Sequence, residues 1–121
     1  MKKKYINKSS IESGLQHWWH QKISAVLLLP ITLWFIFNLP DFVIIDYKDK
    51  LIWINMPLNM FLLGTFFMLS AYHFKLGLTV VIEDYIHNER LKKILSITIN
   101  VLVLLVVLLI LIFGFYKILG I

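Results

Sequence analysis

The sequence predicts an all-α membrane protein with three transmembrane helices, and two observations carry the prediction. The chain is 60% hydrophobic with a mean hydropathy of +0.80, more than a soluble domain of this length needs to fill a core. Its charged residues, only 16% of the total, gather between three long apolar stretches. Each stretch reaches the length of about 17–25 residues that a helix needs to cross a hydrocarbon core.

Composition also removes several function classes. With no cysteine, the chain has no disulfide framework, thiolate metal site, iron–sulfur cluster or cysteine nucleophile of its own. The net charge of +5 does not point to nucleic acid, because the lysines flank apolar spans instead of forming a patch on a polar domain. The basic N-terminus is followed by no short apolar region with a small-residue cleavage site, so the first apolar span is expected to be retained.

The whole chain, 1–121, reads as a single membrane-anchor domain. Residues 1–16 read as a polar tail, mobile or partner-bound, outside the bilayer. His17-Trp18-Trp19-His20-Gln21-Lys22 then sets two indoles and a lysine at headgroup depth, where a ring stays apolar and its N–H stays wet. The first span covers about 23–39, with a kink expected at Pro30. Residues 40–55, with Pro40, Asp41, Asp46, Lys48, Asp49 and Lys50, read as a short external loop, and Trp53 marks the return to the membrane.

The second span, about 56–82, is long enough to tilt or to project from the bilayer. It is also the polar one: Asn59, Gly64, Ser70, His73, Lys75 and Gly77 oppose lipid exposure, so this helix is expected to face protein. The third span, about 94–119, is unbroken apolar sequence from Val101 to Phe113 and is expected to be the most lipid-exposed. Ser96, Thr98 and Asn100 near its start are candidates for bonds to neighbouring helices.

Lysine and arginine placement orients the chain. Lys2, Lys3, Lys4, Lys8, Lys22, Arg90, Lys92 and Lys93 fall on one side, against Lys48, Lys50 and Lys117 on the other. The positive-inside rule then puts the N-terminus in the cytoplasm and the C-terminus in the periplasm.

One stripe of the second span holds most of the candidate chemistry. At about 100° per residue, His73, Gly77, Val80 and Asp84 share one helix face. His73 is an ionisable group deep in a span, which is rare and usually functional. Three readings fit it: an axial ligand to haem iron, with Gly77 giving the macrocycle room; a hydrogen bond to a neighbouring helix; or a proton relay. The chain has no second intramembrane histidine, so a haem held by two histidines needs one from another subunit.

Asp84 and Tyr85 lie where that helix meets the interface. A phenol there can donate a hydrogen bond to a quinone carbonyl while the carboxylate handles protons; otherwise the pair is a solvated helix end with an interface tyrosine. Lys75 points about 200° away from His73 and either snorkels or pairs with a partner. His17 and His20 read as interface residues, not metal ligands, with no nearby carboxylate beyond Glu12. His87 reads as a solvated loop residue or as part of a substrate mouth.

These residues resemble the hydrophobic membrane anchor subunit, the D subunit, of succinate dehydrogenase (respiratory complex II). The likeness rests on His73, Gly77 four residues on and Asp84-Tyr85 beyond it, with Val-Val-Ile-Glu before the pair as in alphaproteobacterial members. His17-Trp18-Trp19, Gln21, Ser24-Ala25 and Pro30 look like the start of that family's first span. The Ser-x-x-His-Arg-x-Thr-Gly motif of the partner cytochrome subunit is missing, which favours the D type. Lys22 stands where arginine is expected in many members; it keeps the charge and loses the bidentate fork.

The resemblance implies a haem-binding helical bundle completed by a partner subunit. Haem b would be shared with a cytochrome b556 subunit, His73 (haem iron) supplying one axial ligand. Tyr85 would contact ubiquinone, with Asp84 beside it in proton traffic. Electrons would arrive from succinate, in the tricarboxylic acid cycle, through flavoprotein and iron–sulfur subunits that this chain anchors in a bacterial inner membrane. A fumarate reductase anchor is the alternative within the class, and a cofactor-free three-span structural or transport subunit is the alternative outside it.

Overall fold

The computed structural model describes residues 8–120, with side chains described from Gly14 onward. These residues form four helices: α1 (Lys8–Ile44), α2 (Tyr47–Asn55), α3 (Pro57–Tyr85) and α4 (Glu89–Ile118). The three long ones are each apolar enough and long enough to cross a membrane, and α2, with nine residues, is far too short. The described chain is thus an all-helical, three-span membrane protein.

Two boundaries differ from the sequence expectation. Residues 8–16 continue α1 instead of forming a separate tail, because an established helix adds one backbone hydrogen bond per residue and needs no new nucleus. Glu12 lies among the residues whose side chains are not described, and Lys2, Lys3 and Lys4 lie outside the described residues altogether. At the other end α1 runs through both Pro30 and Pro40 to Ile44. A proline removes one donor and does not by itself end a helix that neighbouring structure supports.

What was expected as a plain loop over 40–55 therefore holds the last turn of α1 and all of α2. The short helix is fastened by Trp53. Its indole stacks on Trp34 at 6.0 Å and tilts against Phe42 at 5.0 Å, while the Asn59 side chain donates to its carbonyl at 2.9 Å. Pro57 then starts α3 at a position where a missing N–H leaves nothing unpaired.

Helix α3 is the middle element and packs against α1, α2 and α4. Two contacts give its direction relative to α1. Ser24 meets His73, and Phe35 stacks on Phe66 at 4.7 Å, so higher numbers on one helix face lower numbers on the other. The helices are antiparallel. On the other side Gly64 lets α4 come close, since a Cβ built there would stand 3.4 Å from Cγ2 of Ile110.

The link from α3 to α4 is only residues 86–88. Asn88 caps α4, its Oδ1 accepting from the backbone N–H groups of Arg90 and Leu91 at 3.0 and 3.1 Å. Little of the bundle is interior: Ser24, Ile31, Leu76, Ile82 and Ile99 are its buried side chains among the described residues. Within the most apolar stretch of α4 no described side chain is buried against the rest of this chain. Thr98, a candidate for bonding a neighbouring helix, donates instead to the Ile94 carbonyl of its own helix at 2.9 Å.

Candidate functional site

The site grows from the face of α3 that meets α1. His73 is half-buried there, and its Nδ1 lies 2.8 Å from Oγ of Ser24. Ser24 is the one buried polar side chain among the described residues, 2% exposed, and its Oγ also lies 2.9 Å from the Gln21 carbonyl oxygen. Buried polar groups persist in an apolar bundle only when partnered, so this contact fixes how α1 and α3 are rotated against each other.

One turn from His73 stands Gly77. A Cβ added at Gly77 would meet nothing within 4 Å, so the helix face beside the imidazole opens onto free space. Nδ1 is engaged, and the described residues offer Nε2 no hydrogen-bond partner. The donor set fits one axial position of a haem: a single half-buried imidazole, one nitrogen occupied by an oriented hydroxyl, and a side-chain-free strip alongside. Among the described residues no group of three or more His, Asp and Glu side chains comes together.

Asp84 and Tyr85 form the last turn of α3, about 16 Å along the axis from His73 by the helical rise. Both are exposed, Tyr85 at 75%, and neither bonds to a described side chain. Antiparallel packing sets this end of α3 beside the N-terminal part of α1. There Trp18 and Trp19 meet edge to face at 5.2 Å, and the Lys22 ammonium sits 4.3 Å over the Trp18 ring. His73 and the Asp84-Tyr85 pair therefore lie on one helix but do not touch.

The other singled-out residues are dispersed. Lys75 is half-buried without an ion-pair partner among the described residues, and its carbonyl accepts from the Thr79 hydroxyl at 2.9 Å. His20 and His87 are exposed and His17 is half-buried. A groove of about 710 Å³ between α3 and α4 includes Met60, Gly64 and Phe113 in its lining but not His73. It is almost wholly apolar, and the Thr65 hydroxyl on its wall is spent on the Phe61 carbonyl at 2.8 Å.

Sequence reasoning named Ser24 only as part of a family-like block and missed its partnership with His73. The sequence carried no signal for the pairing: the inward stripe of α1, on which Ser24 and Ile31 lie seven residues apart, is visible only from their burial in the folded chain.

Comparison with known proteins identifies the family. Residues 4–116 match the family described as succinate dehydrogenase/fumarate reductase transmembrane subunit. A succinate dehydrogenase hydrophobic membrane anchor subunit of Rickettsia bellii (strain RML369-C) is 31% identical over 115 residues, covering 92% of this chain and 89% of the relative. The subunit of the same name from Rickettsia typhi (strain ATCC VR-144 / Wilmington) is 32% identical over 114 residues, covering 90% and 87%. A succinate dehydrogenase membrane anchor subunit of Reclinomonas americana is 33% identical over 102 residues, covering 80% and 82%. No solved structure matches the chain. Three apolar spans, near-full-length agreement with these relatives and the family match together show that this chain belongs to the succinate dehydrogenase/fumarate reductase transmembrane subunits, among the succinate dehydrogenase hydrophobic membrane anchors.

Proposed function

We propose that this anchor subunit does more than tether: it supplies one axial ligand, His73, to a haem b shared with a cytochrome b556 subunit, and it forms part of a ubiquinone site at Asp84-Tyr85. The observation that carries the reading is the environment of His73. Its imidazole is half-buried in a 29-residue apolar helix, with Nδ1 held by Ser24 and open space at Gly77. A haem bound there would supply a one-electron redox centre inside the membrane part of the complex.

This chain's own residues have the remaining roles. The Tyr85 phenol donates a hydrogen bond to a quinone carbonyl and so holds the ring at the helix end. Reducing the quinone takes two electrons and two protons, and Asp84, exposed beside Tyr85, passes protons in from water. The electrons come from succinate through the flavoprotein and iron–sulfur subunits. Lysine placement puts the N-terminus and the Asp84-Tyr85 end in the cytoplasm and the C-terminus in the periplasm of a bacterial inner membrane. The soluble subunits then dock on the side where the quinone is reduced.

The test is a reduced-minus-oxidised visible spectrum of the purified complex, with its subunits identified, for the wild type and His73→Ala. A b-type band that His73→Ala removes or converts to high spin supports the reading. An unchanged band takes His73 off the ligand set, and a colourless wild-type complex makes the chain a cofactor-free anchor.

A further inference from the structure

We propose that Ser24 is the positioning residue for His73: its hydroxyl oxygen accepts the Nδ1–H of the imidazole, which fixes the tautomer and leaves the Nε2 lone pair for iron. The inference rests on the haem reading above and adds to it the group on α1 that prepares the ligand.

The argument is a proton inventory. A serine hydroxyl has one proton to donate and two lone pairs with which to accept. Oγ of Ser24 lies 2.9 Å from the Gln21 carbonyl oxygen and 2.8 Å from Nδ1 of His73. A carbonyl oxygen carries no proton, so the first contact is a hydrogen bond only if Ser24 donates. With its proton spent there, the second contact needs a proton from Nδ1. The reverse assignment would turn oxygen lone pairs toward each other at 2.9 Å around a side chain that is only 2% exposed. Burial makes that arrangement unfavourable.

Three properties of the site follow. The imidazole has one tautomer, the one whose free nitrogen is Nε2. Its ring plane is set by a helix other than its own, because Ser24 is on α1 and His73 on α3. The hydroxyl oxygen, accepting from Nδ1–H, raises the electron density of the ring and so favours ferric over ferrous iron.

The experiment compares the purified complex carrying wild-type chain, Ser24→Ala, Ser24→Thr and His73→Ala. The readouts are haem retention, haem midpoint potential and the g values of the low-spin ferric signal. Ser24→Ala is expected to retain haem about tenfold or more weakly, to move the potential positive and to alter the g values. Ser24→Thr keeps the hydroxyl and is expected to match the wild type. If Ser24→Ala does not assemble, Ser24→Cys replaces it, and its weaker acceptor is expected to give a smaller positive shift.

Wild-type potential and g values in the assembled Ser24→Ala or Ser24→Cys complex, with the low-spin signal lost in His73→Ala, would overturn the role of Ser24 and leave the haem reading standing. A wild-type low-spin signal in His73→Ala would instead overturn the ligand assignment itself.

Discussion

Phe35 of α1 and Phe66 of α3 stack nearly parallel, with ring centres 4.7 Å apart and planes 12° from parallel. The pair lies toward the end of the bundle opposite Asp84-Tyr85 and sets the same antiparallel register as the Ser24–His73 contact. In lipid a side chain gains little from leaving its surroundings for another apolar one, so close packing between rings is what the helices gain by associating. Replacing either phenylalanine by alanine is expected to cost about 0.5–1.5 kcal/mol beyond the loss of contact area. A double-mutant cycle in a reversible detergent-unfolding assay checks it, and additive single effects would mean that the rings are not coupled.

Gly64 is a second packing point. Its missing side chain admits Ile110 of α4, and a Cβ there would stand 3.4 Å from Ile110 Cγ2, a contact that a shift of a few tenths of an ångström absorbs. Gly64→Ala is therefore expected to be mild, whereas Gly64→Leu forces the helices apart. Thermal stability of the purified complex should fall clearly for Gly64→Leu and recover in part when Ile110→Ala is added. No recovery would place the damage somewhere other than between α3 and α4.

At the cytoplasmic end proposed for α3, Tyr85→Phe removes one hydroxyl from a 75% exposed ring and leaves its bulk. Succinate-driven ubiquinone reduction is expected to fall roughly tenfold, the scale of one lost charge-steering hydrogen bond of about 1.5 kcal/mol. Electron transfer to a soluble dye should be nearly unchanged. Equal loss of both activities would assign Tyr85 to assembly instead of quinone binding.

What the sequence made legible follows from where the information lies. Three helices were readable because lipid demands long apolar runs, and His73 stood out because an ionisable group interrupts one of them. The course of α1 through Pro40 was not readable, since proline is a local signal and the support that overrides it is tertiary. Nor was α2, whose nine residues mix Lys48, Asp49 and Lys50 with Leu51, Ile52 and Trp53, and which is fastened by the contacts of Trp53 with Trp34 and Phe42 of α1, neighbours in space rather than in sequence. The Ser24 partnership was hidden for the same reason: it depends on the register between two helices, which no single helix encodes.

The length of α1 has a mechanical consequence. Its 37 residues make a rod of about 56 Å, nearly twice the thickness of a hydrocarbon core of about 30 Å. One end of the rod reaches out of the bilayer, and Ser24 lies on the same unbroken helix. If Ser24 aims the imidazole as proposed, a push or a twist at that end would reach it along one continuous helix. Seating the soluble subunits and setting the ring would then be a single motion.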